Sequence, residues 1–331
     1  MHDKPIGASL YVPTTHRHLL EIANGERIAA LRSVIFCTED AVAERELEAA
    51  LANLAATLRA MRAEARIDRF VRVRNTGVLA RVLAMDGVEK LAAFVIPKAT
   101  RDNLDEYIGL LSGTRHLLMP TLETAEVFDP ADMRALRVRL SMPDIAPRIL
   151  ALRIGGNDLL ALLGLRRPRD MTIYQSPLGP VIASLVTTFR PYGFRLTSPV
   201  FEHLDCPALM AQEVQQDIAY GMVGKTAIHP SQIEPIEQHF RVQPKEVAMA
   251  LRILDRDAPA VFKLDDSMCE VATHRNWANA VIARASRFGT HAVAAGTAGN
   301  DEPEASVNPV AHPSPGWTDG DKRVNGSAFA K

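Results

Sequence analysis

Cysteine is scarce in this chain of 331 residues: Cys37, Cys206 and Cys269 are its three thiols. They lie far apart and never in Cys-x-x-Cys spacing. That argues against a disulfide framework or a cysteine zinc site, and makes reduced thiols in a cytoplasmic protein the expectation. An excess of one charge is lacking as well. With 38 basic and 39 acidic residues the formal net charge is -1, so no global field draws the chain to nucleic acid or an anionic membrane. Long hydrophobic runs are missing too. The longest uncharged stretch, 171–189, contains two prolines and several polar residues. A membrane span needs about 20 mainly apolar residues. Residues 1–10 carry His2, Asp3, Lys4 and Pro5 where a secretory leader would need an apolar core. No Gly-x-x-x-x-Gly-Lys-Ser/Thr loop is present, which speaks against nucleotide phosphotransfer. No internal repeat is visible. What the chain does have is apolar content, 47% of its residues, enough for a sizeable core.

That apolar content is organised by alternation. Short runs at 8–12, 32–36, 70–73, 92–96, 116–119, 149–154, 195–200 and 221–227 read as strands. Helix-like stretches separate them, at 15–24, 41–65, 78–85, 104–111, 124–136, 178–189 and 207–219. Repeated strand–helix alternation makes a parallel sheet, and eight units of it favour a closed barrel over an open doubly wound sheet. Residues 233–240, 246–256 and 264–287 read as further helices. From Gly289 the chain turns to Gly, Pro, Ala, Ser, Asn and Asp without periodicity, so 289–331 is expected to be a disordered tail. The expected organisation is a barrel domain over 1–240, a helical extension over 241–288 and the tail over 289–331.

Polar motifs cluster where the apolar runs end. In order they are Thr38-Glu39-Asp40-Ala41-Val42, Arg72-Val73-Arg74-Asn75, Pro97-Lys98, Pro120-Thr121-Leu122-Glu123-Thr124, Gly155-Gly156-Asn157-Asp158 and Gly224-Lys225-Thr226-Ala227-Ile228-His229-Pro230. Barrels of this kind carry their chemistry at the C-terminal strand ends. Glu123 and Asp158 follow neighbouring strands and can converge on one ion. Two carboxylates without histidine or cysteine suit magnesium better than zinc. Spacing alone leaves a blander possibility open, in which Glu123 and Asp158 serve helix N-termini. Arg72, with Arg74 as its substitute, offers a planar fork for a carboxylate or enolate oxygen. Gly155 and Gly156 allow close backbone approach, and with Asn157 they form a candidate substrate-binding turn. Asp40 could equally be a helix cap.

The ordered motifs resemble the citrate lyase beta-subunit-like family within the HpcH/HpaI aldolase group. The resemblance covers roughly residues 9–287. It implies a (β/α)8 TIM barrel with extra C-terminal helices and a magnesium-dependent carbon–carbon bond lyase working through a metal-stabilised enolate. The implied substrate is a 2-oxo acid, a hydroxy acid or a coenzyme A ester. Glu123 and Asp158 would be the metal ligands, with Glu39 and Asp40 around the metal's waters and Arg72 on the enolate. Lys225 and His229 would lie beside the mouth and bind substrate. Lys98 would pair with a carboxylate rather than form a Schiff base. The family pattern Asp-Leu-Glu-Asp-Ala-Val reads here Cys37-Thr38-Glu39-Asp40-Ala41-Val42, so Cys37 replaces the first aspartate. The family's Arg-x-Asn is Arg72-Val73-Arg74-Asn75. Met268-Cys269-Glu270-Val271-Ala272 resembles a Met-Ile-Asp-x-Pro segment whose acid reaches a neighbouring subunit's site. That makes Glu270 a candidate catalytic base, a metal-bound water being the other, and implies a homo-oligomer, often a trimer. The best fit is a divergent bacterial branch encoded beside phosphoribosyltransferases in tellurium-resistance or stress-related clusters. The arginines at 166, 167 and 169 would then suit a phosphate. The alternative is a catalytically inactive barrel retained as a binding or scaffold protein.

Overall fold

The structure, a computed structural model, describes residues 5–264 and 266–292. Eight parallel strands are found where the apolar runs lie: β1 Gly7–Pro13, β2 Ser33–Cys37, β3 Asp68–Arg72, β4 Ala93–Ile96, β5 Leu117–Leu122, β6 Leu152–Ile154, β7 Leu196–Thr197 and β8 Gly224–Ala227. Each pairs with its sequence neighbour, and β1 also pairs with β8. The last seam, β7 to β8, is closed by a parallel bridge between Ser198 and Lys225, with the Ser198 amide donating to the Gly224 carbonyl at 2.9 Å. The sheet is a closed TIM barrel.

Eight helices wrap the strands: α1 Leu19–Ala23, α2 Leu47–Ala60, α3 Thr76–Leu83, α4 Leu104–Leu110, α5 Pro130–Leu140, α6 Gly156–Leu162, α7 Leu178–Phe189 and α8 Pro207–Ala219. α2 shows why they form. Ala50, Leu51, Leu54 and Leu58 recur every three or four residues and bury one stripe against the strands. The expected helix over 41–65 begins only at Leu47, after a 3-10 turn over Glu44–Glu46. α3 starts where the Asn75 side chain accepts the Val78 amide at 2.9 Å, so this motif residue is a helix cap. Inside the barrel, Ile35, Phe70, Val95 and Met119 fill the axis.

Beyond β8 come α9 Ile233–His239 and α10 Pro244–Leu254. The expected helix over 264–287 is partly something else. Its start belongs to a hairpin, β9 Val261–Leu264 and β10 Ser267–Glu270, and the helix proper is α11 Val271–Phe288. Asp266, at φ 60, makes the hairpin turn, a left-handed conformation that aspartate tolerates better than most residues. α11 ends at the N-terminal face of the barrel. There Arg287 meets Asp68 at 2.7 Å and Phe288 packs beneath Gly7. α10 and α11 share a small core of Val242, Ala250, Ile253, Cys269, Ala278 and Val281. The expected disordered tail lies, from residue 293 on, outside the described residues.

Candidate active site

At the C-terminal ends of β2 and β3 the chain builds a charged lattice around one guanidinium. Arg72 Nη1 stands 2.9 Å from Glu39 Oε2, and Nη2 stands 3.2 Å from Asp40 Oδ2. Nε and Nη2 also donate to Cys37 Sγ at 3.3 and 3.2 Å. The Arg72 guanidinium lies over the Tyr11 ring, 4.8 Å from its centroid. The Arg72 pKa is raised: burial pulls it down, but neighbouring Tyr11, Cys37 and Glu39 outweigh that. Burial raises the Glu39 carboxyl despite the opposing pull of Arg72. Lys98 Nζ reaches Glu39 Oε1 at 3.6 Å, the carboxylate pairing the sequence predicts.

Across the mouth, Glu123 follows β5 and is nearly buried. Its Oε1 accepts the Lys98 amide at 2.8 Å. Lys98 sits at φ 48, a strained left-handed conformation for a residue with a side chain, and this strain aims the amide at Glu123. Asp158 stands in the first turn of α6 and is half-buried. Burial, then the nearby negative charge of Asp158, push the Glu123 carboxyl up to about 7, even though the Lys98 amide opposes the shift. Burial, then the charge of Asp40, raise Asp158. Four carboxylates therefore feel one another in one partly dehydrated place. Gly155 leaves the room they need: a Cβ there would lie 2.2 Å from Glu123 Oε2. Gly156 is equally tight, its Cβ position 2.7 Å from Pro199. Asn157 is exposed beside them. A cavity of about 400 Å³ opens on the Glu39 side of the mouth, walled by Glu39, Asp40, Arg74, Lys98 and Tyr107 among others. That is the size of a small-metabolite site.

Other predicted residues are placed differently. Arg74 borders the cavity, but its fork is spent on Glu44 and on the carbonyls of Thr38 and Val42, so it braces the β2–α2 loop. Lys225 is corrected outright. On β8 Gly224 and Thr226 face inward and Lys225 faces outward, where it is fully buried beneath α8. Its Nζ meets Glu213 at 2.8 Å, Asp217 at 3.0 Å and the Pro199 carbonyl at 3.0 Å. His229 caps the 3-10 turn after β8, its Nδ1 accepting the Ser231 amide at 3.2 Å. The arginine cluster is dispersed. Arg167 is buried against Glu213, Arg169 pairs with Asp205, and Arg166 faces Glu202 at 3.5 Å. Glu270 is exposed at the head of α11, where Thr273 donates to its carboxylate at 3.1 Å. None of its contacts among the described residues is with the barrel mouth. Sequence reasoning missed Tyr11, Tyr107 and Arg153, which lies inside the barrel. Alternation would have found Arg153: between Leu152 and Ile154, which face the helices, it must point inward.

Comparison with known proteins agrees with this architecture. The family profile of the C–C bond lyases of the TIM-barrel fold matches residues 1–290. A (3S)-malyl-CoA thioesterase of Cereibacter sphaeroides is 30% identical over 252 residues, covering 75% of this chain and 81% of that enzyme. Among solved structures, CitE of Mycobacterium tuberculosis, in complex with magnesium, acetoacetate and coenzyme A, has a TM-score of 0.63 at 22% identity and covers 85% of this chain and 98% of its own. Malate synthase of Haloferax volcanii, in a magnesium and glyoxylate complex, has a TM-score of 0.61 at 15% identity and covers 70% of this chain and 74% of its own. With a closed barrel, its carboxylates at the C-terminal mouth and a profile match over most of its length, the chain belongs to the C–C bond lyase family of the TIM-barrel fold.

Proposed function

We propose that this protein is a magnesium-dependent carbon–carbon bond lyase or aldolase acting on a 2-oxo acid, hydroxy acid or acyl-coenzyme A substrate. The observation that carries this is the convergence of Glu123, Asp158, Glu39 and Asp40 around Arg72 and Lys98. With Glu123 and Asp158 ionised, four carboxylates would face two cations, leaving a negative excess that one divalent ion would balance. No group of three histidine, cysteine, aspartate or glutamate side chains forms an all-protein metal cage among the described residues. Magnesium fits such a place because it takes one or two carboxylates and keeps its waters. Glu123 and Asp158 would hold it, and Glu39 and Asp40 would accept hydrogen bonds from its waters. Bound there, magnesium supplies a Lewis acid that lowers the cost of negative charge on a substrate oxygen.

The chain's own residues do the rest. Arg72, locked by Cys37, Glu39 and Asp40, presents a preorganised positive charge to an enolate oxygen. Lys98 balances Glu39. Gly155 makes room for the Glu123 side chain and Gly156 for Pro199, which lets the acids sit close to the backbone of α6. Glu270 would act as base in the mouth of a second copy, which makes the active form a homo-oligomer. The exposed apolar side chains of Val261, which pairs with Glu270 across the hairpin, and of Met268 on the same strand support such a contact.

A second reading, thioester hydrolysis at the same mouth, is favoured by the (3S)-malyl-CoA thioesterase relative. One incubation separates the two. (3S)-Malyl-CoA with magnesium gives glyoxylate and acetyl-CoA by carbon–carbon cleavage, and malate and free coenzyme A by hydrolysis. In parallel, calorimetric titration with magnesium, with and without pyruvate, oxaloacetate or acetyl-CoA, tests the site itself. Magnesium-dependent binding of an oxo acid that is lost in Glu123→Ala and Asp158→Ala is expected. Binding indifferent to both carboxylates would sink the metal assignment and favour a scaffold role.

A further inference from the structure

The interior of a TIM barrel is normally filled by branched apolar side chains. Here the interior position of β6 is Arg153, buried to 2% exposure. One of its terminal nitrogens, Nη2, donates to Thr226 Oγ1 at 2.5 Å. The other, Nη1, has no partner, and no carboxylate pairs with Arg153 among the described residues. The strand register sets Thr121 of β5 on one side of Arg153 and Thr197 of β7 on the other. Both hydroxyls are also buried without a partner. A buried cation flanked by three hydroxyl groups and lacking a counter-charge is costly unless something anionic completes it.

The location says what that is. Along β5 and β6, Arg153 is one inward position below Gly155 and Thr121 one below Glu123, so the group lies directly beneath the proposed metal acids. The Arg153 guanidinium stands 5.4 Å from the centroid of the same Tyr11 ring that carries Arg72. One aromatic ring thus bridges two arginine forks, one at the mouth and one on the barrel axis. Among the described residues no ion pair neutralises the deeper fork, whereas Arg72 is paired with Glu39 and Asp40.

We propose that Arg153, with Thr121, Thr197 and Thr226, forms an oxyanion subsite on the barrel axis that receives a second anionic group of the substrate. Building on the lyase reading, this narrows the substrate to a small molecule with two negative ends, one toward the metal acids and one toward Arg153. A guanidinium and three hydroxyls suit a carboxylate or a phosphate and offer nothing to an apolar tail.

The test is calorimetric titration of the full chain in magnesium with pyruvate, which has one carboxylate, and oxaloacetate, which has two. The wild type is expected to prefer oxaloacetate. Arg153→Met, which keeps an unbranched stem without the guanidinium, is expected to cut the ratio of the two affinities by about tenfold or more. Arg153→Lys should restore part of it. Thr197→Val, which leaves the guanidinium in place, should lower the ratio in the same direction by less, and it decides the matter if Arg153→Met does not fold. A second arm uses metal-free protein and inorganic phosphate. Thermal stabilisation by phosphate in the wild type but not in Arg153→Met would identify a free phosphate, rather than a substrate carboxylate, as the anion held. If wild-type protein binds no oxo acid with magnesium, the lyase reading fails and the phosphate arm still decides the subsite. If Arg153→Met alters neither the oxaloacetate preference nor the response to phosphate, the subsite proposal is overturned.

Discussion

Replacing Lys225 with methionine tests whether this residue serves the fold or the substrate. Its Nζ neutralises two carboxylates, Glu213 and Asp217, and all three side chains are fully buried. The two acids do not depend on it equally. Glu213 keeps Arg167 and accepts the Ile173 amide at 2.8 Å. Asp217 keeps only the Tyr174 hydroxyl, at 2.7 Å. Burial already raises Asp217, with Lys225 opposing it. Glu213, although burial pushes it up, is held low by Lys225 and Arg167. Lys225→Met would therefore strand Asp217. Breaking a buried pair from one side costs about 3–5 kcal/mol. For a chain of this size that lowers Tm by roughly 6–15 °C. Thermal and urea unfolding followed by circular dichroism measure it. The loss should be smaller at pH 5 than at pH 8. A carboxyl with a raised folded pKa contributes its stability at low pH and loses it as pH rises through that value. Adding Asp217→Asn should recover part of the loss. A variant as stable as wild type that no longer binds an oxo acid would refute this account and return Lys225 to the mouth.

Gly155→Ala puts a methyl 2.2 Å from Glu123 Oε2 and 2.5 Å from Glu123 Cβ, so Glu123 must move. Calorimetry should then show magnesium binding roughly ten- to hundredfold weaker, and overpacking against Glu123 Cβ should also cost about 1–3 kcal/mol of stability. Arg72→Lys keeps the charge but cannot reach Cys37, Glu39 and Asp40 together. Steady-state kinetics should show kcat/KM about a hundredfold lower on whichever acyl-CoA or oxo acid the wild type turns over. Glu237, under β1, accepts the Ala8 amide at 2.9 Å and Arg32 Nε at 2.8 Å. Burial pushes it up to about 7, against those partners. Its contribution is present below its unfolded pKa and lost as pH rises toward 7. Urea unfolding across pH 5 to 8 should show a falling stability slope that flattens in Glu237→Gln.

Alternation carried most of the fold into the sequence. Eight apolar runs separated by helical stretches have few folding solutions, and the acids at their ends were legible because strand ends are where loops leave the sheet. Facing was harder to read. Lys225 stands at a strand end in a glycine-rich motif and so looks like a ligand, yet the period of two turns it outward into α8. Arg153 is the mirror case. It sits in a short apolar run where a charge gives no functional signal, yet the same period turns it inward. The arginines at 166, 167 and 169 read as a cluster because they are adjacent in sequence. Their partners Glu202, Asp205 and Glu213 lie about 35 to 45 residues on, beyond what local pattern reveals. The apolar residues of the hairpin before α11 also suit a helical period, which is why sequence pattern alone extends the helix back to 264.

The replacement at position 37 ties these observations together. An aspartate there would face Arg72 as a third carboxylate beside Glu39 and Asp40. Cys37 instead accepts two N–H groups through sulfur and adds no carboxylate. Arg72 keeps its orientation but is less neutralised. The guanidinium on the axis below, Arg153, bonds Thr226 and has no carboxylate partner among the described residues. Relative to the motif this segment resembles, then, the mouth lacks one negative charge, and beneath it lies a guanidinium without a carboxylate among the described residues. Both features raise the positive potential along the barrel axis while leaving the acids that would hold a cation, Glu123 and Asp158, in place at the rim. A site altered in that direction favours substrates richer in negative charge. The oxaloacetate preference and its dependence on Arg153 measure the same property that Cys37→Asp should weaken from above.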